Sequence, residues 1–498
     1  MSFDFTKYRS LMEANKRIYF IGIGGISMSG LAELAMARGQ IVGGSDLSKN
    51  DRCQELEALG IKLYFPQVGE NIEQFKPDAV VYSAAVPSDN PERVKAKDLG
   101  IISIERSDWL GLLNREHKEV INIAGTNGKS TTTAMTAAIC LDAGLDPTVH
   151  LGAQFARFNS TIHVGSENLM ISEACEFNKS FLSFHSTIAA ILNLGHDHVD
   201  CFPTMDDVLD VFLEFILRLP KGSKLVIPAF DPYIPQLLSK WREKYPDHAN
   251  TIEILSFGYP ENELLGKAPD LIAKDLTWIH GLPHFDLIWK GKAQGKIELS
   301  LPGRFNVDNA LAALLMSKLA GASFEQAAKS LASFQGAEGR FTYCGEFQGA
   351  RVFNDYAHHP DSVKLTLEAA KKLPHKNLYA CFQPITFSRA KGLFGGFVEA
   401  MQELKPAILV EVYDDREKDR SFSSRQIADT IIENGGEALF FESPAKLELY
   451  LREKAHKDDL IILMGQDIRQ VGDKLTGRSS HYQAQHSLRE VFDDQVKD

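Results

Sequence analysis

The sequence predicts an α/β protein of three successive domains, each a mostly parallel sheet with crossover helices. Three observations predict it. Apolar runs of strand length alternate with helical stretches along the whole chain, which is the pattern of parallel sheets. Two of these runs empty into glycine-rich turns that open helices. The length, 498 residues, suits three domains at roughly 150 residues each.

The first domain, residues 1–117, opens with the apolar run Arg17 to Ile21. Gly22-Ile23-Gly24-Gly25-Ile26-Ser27-Met28-Ser29-Gly30 follows, and Leu31 to Ala37 is a run of good helix formers. Ile41 to Gly44, Ala79 to Ser83 and Ile101 to Ile104 are the next strands. The second domain, residues 118–336, starts with Val120 to Ala124, a turn at Gly125 to Ser130 and a helix from Thr131 to Leu141. Its later strands are Leu169 to Ser172, Thr187 to Leu192 and Leu225 to Ile227. The third, residues 337–498, repeats the alternation. Its strands are Ala350 to Asn354, Asn377 to Phe382, Ile408 to Val412 and Leu460 to Leu463, with a helix from Asp361 to Lys371. The charged tail from Gln483 reads as an exposed helix or a frayed end.

Composition narrows the function. Hydrophobic residues make up 44% of the chain, enough for several cores, so wholesale disorder is excluded. The net charge of −12 argues against broad nucleic-acid binding, which needs basic surface. Cys53, Cys140, Cys175, Cys201, Cys344 and Cys381 are scattered without a C-x-x-C pair, as in a reducing cytosol. The N-terminus lacks a signal-peptide pattern, and no run of ~18 apolar residues predicts a membrane span. A cytoplasmic protein with no membrane partner is expected. Its oligomeric state is not legible in the sequence.

The strongest local signal is Gly125-Thr126-Asn127-Gly128-Lys129-Ser130-Thr131 between a strand and a helix. Main-chain N–H groups at such a helix start cradle phosphates, Lys129 would reach the β- and γ-phosphates, and the Ser130 hydroxyl would ligate Mg²⁺. The full P-loop glycine is replaced by Ile123, so this is a shortened variant; an ordinary strand–turn–helix connection is the plainer alternative. Glu173 stands at a strand end, where a nucleotide site needs a hard oxygen ligand. His198, in His196-Asp197-His198, is a softer ligand for a second metal; taken alone, that cluster reads as a solvated turn, and zinc lacks a further ligand. Gly22, Gly24, Gly25 and Gly30 suit a pyrophosphate at a helix N-terminus, with Asp46 where a ribose ligand is expected. NAD is the runner-up ligand there, and a tight packing turn is the plain alternative. Asn354-Asp355-Tyr356-Ala357-His358-His359-Pro360 gathers polar groups at another strand end. Arg340 and Arg389 are candidate anion clamps, though each alone reads as a surface arginine.

Together these motifs resemble the Mur ligases, ATP-dependent amide-forming enzymes of peptidoglycan precursor synthesis. The resemblance covers nearly the whole chain. It is carried by Phe20 to Gly25 with Met28 and Gly30, Ser83-Ala84-Ala85, Asp89 to Glu92 and Arg106. Ser172 to Glu176 with Ser180 to Leu182, and Pro302 to Asn306 with Asn309, carry it further, as do Asp355 to Pro360, Phe382-Gln383-Pro384 and Arg389. It implies a Rossmann-like UDP-binding domain, a central P-loop ATPase-type domain, and a C-terminal Rossmann-like domain that closes on ATP and binds an amino acid. The implied reaction is ATP-dependent phosphorylation of the lactyl carboxylate of UDP-N-acetylmuramate, followed by attack of an amino-acid amine, L-alanine favoured. The implied cofactors are ATP and Mg²⁺, with Mn²⁺ as a substitute.

By resemblance, Lys129, Glu173, His198 and His358 are catalytic, and Ser130, Glu173 and His198 hold metal. Gly125 to Thr131, Asn306, Asn309, Arg340 and Asp355 lie on the ATP side. Gly22, Gly24, Gly25, Ser27, Met28, Asp46, Ser83, Asn90 and Arg106 face the nucleotide sugar; Tyr356, His358 and Arg389 face the amino acid. The chain departs from the family pattern at four places. A histidine becomes Asn127, and the family's Asn-Ile-Glu-x-Asp-His reads Asn193-Leu194-Gly195-His196-Asp197-His198. Phe-Gln-Pro-His ends in Ile385, and Gly-Ala-Gly-Asp-Ile reads Met464-Gly465-Gln466-Asp467-Ile468. Other readings are a ligase for another amino acid or a recycled peptide, and a diverged non-catalytic nucleotide-sugar-binding paralogue.

Overall fold

Arg17–Ile21 (β1) buries four successive apolar residues because it is the middle strand of a parallel sheet covered on both faces. In the computed structural model, which describes residues 3–196, 201–414, 417 and 419–478, this sheet also holds Ile41–Ser45 (β2), Lys62–Tyr64 (β3), Ala79–Tyr82 (β4) and Ile102–Glu105 (β5). The order is β3-β2-β1-β4-β5, all parallel. Chain direction across the sheet therefore reverses between β1 and β4, and the Gly-rich turn leaves β1 at that switch point, where open α/β sheets bind ligands.

The second sheet contains Glu119–Ala124 (β6), Pro147–Phe155 (β7), Ser160–His163 (β8), Ser166–Glu173 (β9), Ile188–Ile191 (β10), Lys224–Pro228 (β11), Glu253–Gly258 (β12), Leu271–Ile279 (β13), Leu282–Trp289 (β14) and Lys292–Glu298 (β15). Its order is β15-β14-β13-β12-β11-β10-β6-β9-β7-β8. The third contains Thr342–Phe347 (β16), Ala350–Asp355 (β17), Leu378–Phe382 (β18), Ala407–Val410 (β19), Ala438–Phe441 (β20) and Leu460–Met464 (β21), in the order β16-β17-β21-β18-β19-β20. The chain divides into two compact units. One is Met1–Ile272 with Ile288–Ala293 and Asn309–Ala327; the other is Ala273–Leu287 with Gln294–Asp308 and Ala328–Asp498.

The expected strands and crossover helices are present, but the sheets are not parallel throughout. The β7–β8 and β16–β17 pairs are antiparallel. The strands β13, β14 and β15 are joined by two-residue turns, His280-Gly281 and Lys290-Gly291, in which both residues have positive φ. That conformation matches the twist of a tight hairpin. The tail from Gln483 lies outside the described residues.

One buried polar node stiffens the first domain. Glu92 is fully buried; Tyr19 donates its hydroxyl to Oε1 at 2.8 Å and Asn71 its amide to the same oxygen at 2.7 Å, while Ser45 donates to Oε2. Burial raises the Glu92 carboxyl above its ordinary value, against the pull of these hydrogen bonds. A carboxyl held high binds its proton more tightly in the folded chain than in the unfolded one. Its contribution is therefore complete below the ordinary glutamate pKa and lost as pH rises through the raised value. Glu92→Gln keeps the shape and removes the ionisation. Urea unfolding should show this variant gaining on the wild type as pH rises above the ordinary glutamate pKa. A difference that stays constant with pH would exclude Glu92 as the source.

Candidate functional site

The Gly-rich turn is shaped by its own backbone and by Asp46. Gly22 N–H donates to Ser45 O at 2.8 Å, Gly25 N–H to Gly22 O at 3.2 Å, and Gly24 N–H to Asp46 Oδ2 at 2.8 Å. A Cβ on Gly24 would stand within 2.9 Å of Asn50, Asp46 and Cys53 side-chain atoms, so only glycine allows this approach. The helix Ile26–Ala37 starts at Gly25 with no side-chain cap, leaving its first N–H groups directed at the turn. Arg106 donates to Ser27 Oγ at 3.1 Å. Ser83 Oγ comes within 3.9 Å of the position a Cβ on Gly22 would take. Met28 is 2% exposed and belongs to the apolar core, so its side chain packs rather than faces solvent. Asn90 caps the helix Pro91–Asp98 and donates its amide to Gln67, so its side chain shapes the loop.

In the same unit, β6 delivers Gly125 and Gly128 in the left-handed region, with φ +138° and +86°. The helix Lys129–Asp142 follows, again without a side-chain cap. Lys129 Nζ donates to the Gly125 carbonyl, to Thr126 O at 3.2 Å and to Glu176 Oε2 at 3.0 Å. Burial alone would lower the Lys129 ammonium, but Glu176, with Cys175 and Glu173, more than offsets it and holds the group above its ordinary value. The turn is clamped by the segment beyond β10. Asn127 N–H donates to Asn193 Oδ1 at 2.8 Å, Asn193 Nδ2 returns to Asn127 O at 2.9 Å, and Gly195 N–H donates to Thr126 Oγ1 at 2.8 Å. Asn309 Oδ1 accepts from Thr132 and lies 2.3 Å from where a Cβ on Gly128 would sit.

Ser130 and Thr131 are buried in the first helical turn. Glu173 ends β9, the strand beside β6, and its Oε1 accepts from Gly152 N–H at 2.7 Å. Its charge acts on Lys129 as well. Hydroxyl and carboxylate oxygens of this kind suit a hard divalent cation. His198 lies outside the described residues, among which no three His, Cys, Asp or Glu side chains cluster as a metal site.

In the second unit the carboxyl ends of β17, β21 and β18 lie side by side. Asp355 is buried; Oδ2 accepts from Phe341 N–H at 2.8 Å and Oδ1 from Ala357 N–H at 2.7 Å. Burial raises its carboxyl, opposed by Arg340, these N–H groups and Arg469. The Tyr356 ring has the Arg340 guanidinium 5.0 Å and the Arg469 guanidinium 5.3 Å from its centroid, and its hydroxyl donates to Gln466 Oε1 at 3.3 Å. His358 Nδ1 donates to Tyr356 O at 2.8 Å. Asn306 is buried, its amide donating to Pro302 O at 2.7 Å. Arg389 lies on the short helix Phe387–Gly392, just past Ile385.

Sequence reasoning missed Arg469, His150, Gly152 and the clamping role of Asn193. Arg469 packs against Gly339, where a Cβ would lie 2.3 Å from its guanidinium, a closeness that no local sequence pattern marks.

Comparison with known proteins follows this geometry. The model described as Mur ligase family, catalytic domain, matches residues 17–118; the Mur ligase middle domain matches 123–317; the Mur ligase, glutamate ligase domain, matches 339–466. The UDP-N-acetylmuramate–L-alanine ligase of Caldanaerobacter subterraneus subsp. tengcongensis is 37% identical over 469 residues, covering 93% of this chain and 98% of that one. The enzyme of the same name from Clostridium novyi is 36% identical over 95% of this chain and 99% of its own. The crystal structure of UDP-N-acetylmuramate–alanine ligase from Thermotoga maritima superposes with a TM-score of 0.76 at 26% identity, covering 93% of this chain and 98% of that one. No helix among the described residues is long and apolar enough to cross a membrane.

Proposed function

Because the chain belongs to the Mur ligase family, we propose that it joins L-alanine to the lactyl carboxylate of UDP-N-acetylmuramate at the expense of ATP, in peptidoglycan precursor synthesis. The observation that carries this reading is that Lys129, opening the helix after β6, lies within the field of Glu173 at the end of the neighbouring strand β9. A phosphoryl-transfer site needs a cation for the phosphates and a hard anion for a metal there. Residues 1–117 receive the nucleotide sugar, 118–336 ATP and 337–498 the amino acid. The reaction runs in the cytoplasm, which suits the six free cysteines.

In this reading the lactyl carboxylate oxygen attacks the γ-phosphorus, and ADP leaves. Lys129 and the uncapped helix start hold the phosphates in place and neutralise their charge. Ser130, Glu173 and His198 would hold Mg²⁺, which would supply positive charge to screen the phosphate oxygens. The amine of L-alanine attacks the acyl phosphate, an amide bond forms, and phosphate leaves. Tyr356, His358 and Arg389 are the residues of this reading that bind the amino acid, and the proton lost from the amine goes to the departing phosphate or to solvent.

The test is phosphate release with ATP, Mg²⁺ and UDP-N-acetylmuramate, adding L-alanine, glycine, L-serine or a murein peptide in turn. Release that requires the nucleotide sugar and L-alanine supports the reading. Release with a peptide alone would reassign the amine substrate. No release, with UDP-N-acetylmuramate still bound, would make the chain a nucleotide-sugar-binding paralogue. Gly128→Ala should lower turnover about 100-fold, because the new methyl must displace Asn309 or the turn, and such misplacements cost that much. Turnover within twofold of wild type would show that the turn does not hold ATP.

A further inference from the structure

The strand β7 carries a buried histidine that none of the chemistry above uses. His150 is 3% exposed, and its Nε2 lies 2.9 Å from Ser27 Oγ. Arg106 has only donors, so Ser27 Oγ accepts from Arg106 at 3.1 Å, and the same oxygen shares a hydrogen bond with His150 Nε2. The other ring nitrogen, Nδ1, is buried without a hydrogen-bond partner among the described residues, so Ser27 is the ring's one polar anchor there. Burial and the neighbouring Arg106 push the ring's pKa down to about 3, so it stays neutral. The helix bearing Ser27 is also seated on the β7–β8 hairpin. Thr161 Oγ1 donates to Ile26 O at 3.3 Å, Ser160 Oγ to Glu33 at 3.2 Å, and a Cβ on Gly30 would stand 2.6 Å from Thr161 Oγ1. Two residues along β7, Gly152 N–H holds Glu173.

We propose that His150 is a positioning residue for the nucleotide sugar: it fixes the Ser27 hydroxyl, and through it the Arg106 guanidinium, at the mouth of the Gly-rich turn. The inference rests on the reading of Ser27 and Arg106 as nucleotide-sugar residues. The His150 side chain acts on Ser27, whereas Glu173 is held by the main chain of Gly152. Removing the imidazole therefore loosens the nucleotide-sugar side and leaves the Glu173 anchor in place.

The experiment is calorimetric titration of UDP-N-acetylmuramate into the full chain, alongside steady-state phosphate release. His150→Ala should weaken nucleotide-sugar binding, and raise its KM, about tenfold, the effect of one buried hydrogen bond, with kcat and the KM for ATP within about twofold. His150→Gln, whose amide can donate to or accept from the Ser27 hydroxyl, should recover most of the loss. Ser27→Ala should weaken binding comparably, and the double variant should be no weaker than Ser27→Ala alone. Additive losses, or a folded His150→Ala that binds as tightly as wild type, would overturn the inference. If His150→Ala does not fold, the cycle run with His150→Leu decides by the same criterion. Wild-type protein that binds no UDP-N-acetylmuramate would instead bring down the nucleotide-sugar reading, and the inference with it.

Discussion

Lys129→Ala should reduce ATP-dependent phosphate release by about 1,000-fold or more while leaving nucleotide-sugar binding intact. Removing one neutral donor from a developing oxyanion already costs about 100- to 1,000-fold, and Lys129 carries a full charge. The structure adds a complication. The side chains of Lys129 and Glu176 are 15% and 5% exposed, so deleting the lysine strands a buried carboxylate. Breaking such a pair costs about 3–5 kcal/mol. The single variant should therefore lose stability as well as activity. Adding Glu176→Gln removes the stranded charge and should restore the melting temperature without restoring turnover. Circular dichroism reads the first, phosphate release the second and uridine-nucleotide titration the third. Turnover near wild type in either variant would take Lys129 out of phosphate binding.

The contrast between Lys129 and its partner shows what the sequence could reveal. Lys129 lies in a short local pattern: an apolar run, two glycines, then a helix start. Such patterns are legible because strand, turn and helix-start chemistry is local. The Gly-rich turn after β1 and the polar cluster after β17 were legible for the same reason. Glu176 is 47 positions away, and Asn193 reaches the turn from 66 positions away. Nothing local marks either as part of the turn. Met28 shows the other side of this: it stands inside a recognisable motif, and only the fold reveals that its side chain belongs to the core. The β7–β8 hairpin was missed because His150 and Gly152 interrupt its apolar alternation. The β13–β15 meander carried a readable signal, two X-Gly turns between alternating runs, but with histidine and lysine where asparagine or aspartate is usual. His150 could be assigned only once the helix bearing Ser27 was seen against β7.

Glu173→Gln should match the Lys129 variant in loss of turnover, about 1,000-fold, without its loss of stability. Glutamine keeps an oxygen for Gly152 N–H, so the side chain stays where it is while its charge is gone. Glu173→Ala removes both and should be equally inactive. Glu173→Asp keeps the charge but is one methylene shorter, so it cannot hold both the Gly152 N–H and a cation at the present reach. It should retain partial turnover with the Mg²⁺ midpoint moved upward. Titrating turnover against Mg²⁺ and then Mn²⁺ separates the cases, since a lost ligand shifts the metal midpoint whereas a lost base does not. Direct Mn²⁺ binding in the presence of ATP gives the same answer without turnover. A Glu173→Gln protein with wild-type metal dependence would leave the carboxylate as a partner of Gly152 and Lys129 alone, and the metal would have to be held elsewhere.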